Sequence, residues 1–102
     1  MIHVLATITV RPGKREALLA EFHRIVPLVC AEAGCIEYGP AVDADGIGPI
    51  QTKLGADTFV VVEKWASAAD LAAHAAAPHM KDYAAKVKEM VANRIIHVLS
   101  PG

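Results

Sequence analysis

Residues 2–10 alternate. Ile2, Val4, Ala6, Ile8 and Val10 form one row, and His3, Leu5, Thr7 and Thr9 form the other. A period of two places the rows on opposite faces of a strand, one of them strongly apolar. Arg11-Pro12-Gly13 stops that strand, since Pro and Gly are the strongest local breakers. Over residues 14–33 the period lengthens: Leu18, Phe22, Ile25 and Val29 fall at i, i+4, i+7 and i+11. This spacing predicts an amphipathic helix. Pro27 lies inside it and is expected to bend it, because proline removes a backbone donor and crowds the preceding turn. Gly34 then supplies a C-terminal stop.

Residues 35–42 read as a second strand. The stretch 43–57 contains Gly46, Gly48, Pro49 and Gly55 and is too long for a tight hairpin, and residues 51–54 could add a short extra strand. Residues 59–65 form a third main strand, rich in β-branched side chains. Ser67 and Asp70 have the spacing of a capping box at the start of a second helix. Pro78 interrupts that helix and restarts it from a first-turn position. Beyond it, Met80, Tyr83, Ala84, Val87 and Val91 recur at helical spacing, and residues 93–99 form a last strand.

The order β-α-β-β-α-β predicts an α+β, ferredoxin-like fold in a single domain over residues 1–102. Right-handed crossovers place both helices on one side of a four-stranded sheet. The other side carries Leu5, Val60 and Val62. A contiguous apolar sheet face is poorly suited to water, so a homodimer packed sheet against sheet is expected.

Composition narrows the picture without naming a chemistry. The chain is 54% hydrophobic, but alanine supplies much of that and buries little area per residue. A formal charge of −1 and the lack of a basic stripe argue against nucleic acid or anionic lipid as a partner. No apolar run approaches the ~18 residues of a membrane span, and the first strand lacks the basic flank of a signal peptide. A cytoplasmic protein is expected. Cys30 and Cys35 straddle a helix end and, in a reducing compartment, read as free thiols. Asp43, Asp45 and Gly46 imitate the start of a calcium loop, but the later ligands do not follow. That segment reads as a turn.

Candidate chemistry concentrates in residues 59–83. The only Trp, Trp65, lies there with His74, His79 and Tyr83. Aromatic surface beside titratable imidazole suits a site that holds a flat organic molecule and moves its protons. The separation of His74 and His79, with Pro78 between them, departs from the i, i+4 zinc spacing, and no metal is expected.

Across nearly its whole length the sequence resembles the antibiotic biosynthesis monooxygenase family of dimeric α/β barrels, in particular its quinol monooxygenase branch. The residues that carry the resemblance include Arg11-Pro12-Gly13, Ile25-Val26-Pro27, Glu32-Ala33-Gly34-Cys35 with Tyr38, and Glu63-Lys64-Trp65. Leu71 with Ala73-His74, Pro78-His79-Met80-Lys81 with Tyr83, and the tail Leu99-Ser100-Pro101-Gly102 complete the set. The resemblance implies oxidation of a quinol by molecular oxygen, without flavin, haem or metal. Cofactor-free oxygenation needs a base that removes a phenolic proton, and an imidazole titrating near ~6.5 is suited to that. His74 is the expected base and Trp65 the expected platform for the quinol ring. Glu63 shares Trp65's strand face; beside apolar walls it could act as acid or base, or it could pair with a cation at the dimer seam. His79, Tyr83 and Tyr38 are candidate hydrogen-bonding partners of the substrate. Two rival readings share the fold: an isomerase of a small phosphorylated molecule, and a non-catalytic ligand-binding dimer of the stress response.

Overall fold

The computed structural model describes residues 1–102. Its elements are β1 (Ile2–Val10), α1 (Arg15–Cys30), β2 (Cys35–Ala41), β3 (Thr58–Trp65), α2 (Ala68–Ala75), α3 (Pro78–Val87), a 3-10 turn (Lys88–Met90) and β4 (Val91–Leu99). The strands form one antiparallel sheet in the order β2-β3-β1-β4, which is the ferredoxin-like arrangement.

The alternation in β1 dictates what lies under the helices. Val4, Ala6, Ile8 and Val10 are buried, and their β3 partners include Glu63, Val61 and Phe59, opposite Val4, Ala6 and Ile8 in turn. Leu18, Phe22, Ile25 and Val29, the predicted stripe of α1, close over this face and are all buried. Burying such a row contributes roughly 1.5–3 kcal/mol per large side chain. His3, Leu5, Thr7 and Thr9 occupy the opposite face, joined there by Val60 and Val62 of β3 and by Ile95, His97 and Leu99 of β4.

Several boundaries differ from the sequence reading, each for a physical reason. Residues 51–54 form no strand. The loop is closed instead by Asp43, whose carboxylate accepts from the backbone amides of Leu54 (2.8 Å) and Gly55 (2.9 Å). These bonds hold the Asp43 carboxyl below its usual pKa. Helix α1 ends at Cys30, three residues before the predicted limit, and Pro27 is accommodated inside it. Val91 opens β4 and does not continue α3, because the 3-10 turn reverses the chain after Val87. No helix is long and apolar enough to cross a membrane.

Candidate active site

The site is set by where α1, α2 and β3 end. Ser67 caps α2, its hydroxyl accepting from the amide of Asp70 at 3.2 Å. That fixes the helix phase, and two turns later His74 becomes its one buried side chain. Beneath it, β3 delivers Glu63 and Trp65 to the same side of the sheet, and β2 adds Tyr38 directly opposite Glu63. Gly34 turns the chain between α1 and β2 at φ 77°. This turn places Glu32, just beyond the end of α1, against the helix pair.

Glu32 organises the histidines. Its Oε2 lies 3.0 Å from His74 Nδ1 and 2.7 Å from His79 Nε2, and its Oε1 lies 3.2 Å from His74 Nδ1. An ionised carboxylate only accepts, so both ring nitrogens donate to it as N–H. The second nitrogen of His74, Nε2, is therefore the one left for a ligand. Charge-assisted bonds of this kind are shorter and stronger than neutral ones.

Glu63 is buried on the helix side of the sheet. Trp65 Nε1 donates to its Oε1 at 2.9 Å. Burial raises the Glu63 pKa above the usual carboxylate value and the Glu32 carboxylate adds to that, while the indole hydrogen bond and His74 oppose it. Burial likewise drives the Tyr38 hydroxyl far above its ordinary range and pushes that of Tyr83 up to about 12. Both phenols therefore stay protonated and can donate.

A cavity of about 760 Å³ opens between the sheet and α3, within the usual size of small-molecule sites. His74, Glu63, Tyr38 and Tyr83 all line it. The aromatic wall is continuous: Phe22 stacks on Tyr38 with centroids 5.4 Å apart and meets Tyr83 edge-on at 6.0 Å.

Three expectations need correction. Trp65 is not a platform for a ring, because it has no exposed surface and does not line the cavity. As the bulkiest apolar group on β3 it is driven under α2, where its indole packs 4.7 Å from the His74 ring. It buttresses the site. His79 does not reach the cavity either; it faces Glu32 and borders a shallow groove between α1 and α3. Glu63 cannot pair across a sheet-to-sheet seam, since it points away from the free face. Sequence reasoning missed the roles of Glu32 and Phe22. One signal for Glu32 was available: an acid at a helix C-terminus opposes the helix dipole and so implies a specific partner.

Comparison with known proteins bears on the fold and the family. Residues 1–86 match the family model described as antibiotic biosynthesis monooxygenase. The Escherichia coli K12 protein named "Probable quinol monooxygenase YgiN" is 42% identical over an alignment spanning 100% of this chain and 99% of that protein. Among solved structures, Rv0793 from Mycobacterium tuberculosis superimposes with a TM-score of 0.79 at 30% identity, covering 98% of this chain and 93% of the other. PA3566 from Pseudomonas aeruginosa gives a TM-score of 0.81 at 28% identity, covering 98% and 92%. With its fold, its strand order and a match over most of its length all in accord, the chain belongs to the antibiotic biosynthesis monooxygenase family.

Proposed function

We propose that this protein is a cofactor-independent monooxygenase that oxidises a quinol to the quinone with molecular oxygen. The observation that carries the reading is the cavity-lining imidazole of His74, held by Glu32 at Nδ1 with Nε2 left to act on a bound ring. His74 takes the phenolic proton, and the imidazolium formed is stabilised by the Glu32 carboxylate. The quinolate is electron-rich enough to reduce oxygen directly, two electrons and two protons passing from the quinol to oxygen to give the quinone and hydrogen peroxide, so the protein's work is binding, deprotonation and orientation. Glu63, whose carboxyl is shifted toward its acid form by burial, can donate to a developing oxyanion or return a proton to reduced oxygen. Tyr38 and Tyr83 hydrogen-bond the substrate, and Phe22 with these phenols forms its stacking wall. His79 acts through Glu32. The similarity to a protein named as a quinol monooxygenase supports the same substrate class.

The working form is a cytoplasmic homodimer. Its support is the free sheet face, where Leu5, Ile95 and Leu99 are 38%, 49% and 44% exposed. A second copy would cover these side chains.

Oxygen uptake with reduced menadione tests the catalytic role. His74→Ala should lower turnover at least about tenfold, since a positioned base contributes ~10²–10⁴ in rate, while far-UV circular dichroism is unchanged. Wild-type turnover at background level, with quinone-induced stabilisation against heat, would instead favour the ligand-binding reading.

A further inference from the structure

The cavity is polar at two opposite corners. One corner is Glu63, His74 and Tyr38. The other lies where β1 ends and β4 begins, and carries Arg94 and Lys88. Strand register locates them: Glu63 is opposite Val4 on one side of β1, and Arg94 is opposite Ile8 on the other. The two backbone positions are separated by roughly 13 Å along the strand and roughly 10 Å across it. Val4, Ala6, Ile8 and Val61 make an apolar floor between them.

A β-bulge puts Arg94 there. Thr9 pairs with Asn93 but Val10 pairs with Val91, so Ala92 is an extra residue in β4. Simple alternation from the inward Val91 would turn Asn93 inward and Arg94 outward. The bulge reverses that parity, as bulges near sites commonly do, and Arg94 joins the row of Ile96 that lines the cavity. Arg94 and Lys88 are both exposed, so the two cations stand at the open rim of the cavity, where a ligand could reach them, and outside the core. Neither Arg94 nor Lys88 forms an ion pair, and the adjacent Glu89 carboxylate pairs with neither.

We propose that Arg94, assisted by Lys88, binds an anionic group on the substrate, so that the site selects a quinol that carries a carboxylate on the side remote from the hydroxyl at His74. The fork of Arg94 matches a carboxylate in bidentate geometry, and Lys88 adds a point charge. The hydroxyl then lies against His74 and Glu63, which rests on the functional reading above. The carboxylate contact does not depend on turnover and is measured by binding.

Calorimetric titration of the full chain with 6-hydroxy-2-naphthoate, 3-hydroxy-2-naphthoate and 2-naphthol tests the idea. The 6-hydroxy acid, with its groups at opposite ends of the ring system, should bind at least tenfold more tightly than either of the others. Arg94→Gln should abolish that preference while 2-naphthol affinity and the melting temperature stay unchanged, and Arg94→Lys should restore part of it. Equal affinity for the 6-hydroxy acid and 2-naphthol, or a preference that survives Arg94→Gln combined with Lys88→Gln, would overturn the proposal. Equal affinity for the two acids would overturn its geometric part. Oxygen uptake with 1,4-naphthohydroquinone and with its 2-carboxylate is run alongside: absence of uptake with both would sink the enzymatic reading and leave the binding result standing.

Discussion

Glu32 is the side chain on which the histidines converge, and its replacement separates positioning from binding. Glu32→Gln keeps the size and one acceptor oxygen but loses the negative charge and the second acceptor that serve both imidazoles. The expected result is a fall in kcat of at least about tenfold with KM nearly constant, because the lost interaction serves the proton transfer and not the ground-state complex. The downfield proton signal from His74 Nδ1–H should move upfield, because Gln offers only a neutral acceptor. If the signal does not move, the carboxylate charge is not what holds the ring. Glu63 gives a prediction in pH. Its pKa is raised on folding, mainly by burial, so the native state binds the proton more tightly than the unfolded chain. Its contribution to stability is fully present below the unfolded value near 4.5 and is lost as pH rises through the folded value. Glu63→Gln, which still accepts from Trp65, should therefore melt higher than wild type at pH 7.5, with the gap closing below pH 4.5. A gap of the same size at both pH values would show that ionisation is not the cause.

The turn between α1 and β2 carries more of the site than its size suggests. Gly34 sits at φ 77°, and a Cβ there would overlap the carboxyl of Asp70 in the α2 capping box. Gly34→Ala combines a left-handed backbone penalty of roughly 1–2 kcal/mol with displacement of the first turn of α2. A loss of roughly 10 °C or more in melting temperature is expected, given that 1 kcal/mol shifts a domain of this size by about 4–8 °C. Since α2 carries His74 and the same turn carries Glu32, residual turnover at low temperature should fall too. A variant with wild-type melting would mean that the turn relaxes freely. The elements themselves were largely legible in the residues. Period two in β1, the α1 stripe, the Ser67 cap and Pro78 each correspond to an observed boundary or face. The missed boundaries fell where local pattern is weakest, at the end of α1, in the loop tied by Asp43 and at the passage from α3 to β4.

The proposed dimer would form on the face that the helices leave open. Leu5, Val62, Ile95 and Leu99 share the outer side of the sheet with His3 and His97. Sedimentation should give a dimer for the wild-type chain. Leu5→Glu, which places a charge at the middle of that face, should convert it to monomer by at least tenfold weaker association without disturbing the inner core. A wild-type monomer at micromolar concentration would remove the sheet-to-sheet arrangement. The candidate site was legible only in part. His74, Glu63, Tyr38 and Tyr83 are brought together around one cavity, while Trp65 and His79 stand behind it.

The fold class follows from short-range pattern alone, because strand and helix periods are local consequences of which side chains avoid water. So does the presence of aromatic and imidazole groups within one stretch of chain. Which of those groups meet a ligand is a different matter. It depends on Trp65 being covered by α2, on Glu32 arriving from another part of the chain, and on a single extra residue in β4 that turns Arg94 inward. Burial, long-range hydrogen bonding and strand register are properties of packed elements. No residue carries them before the chain has folded.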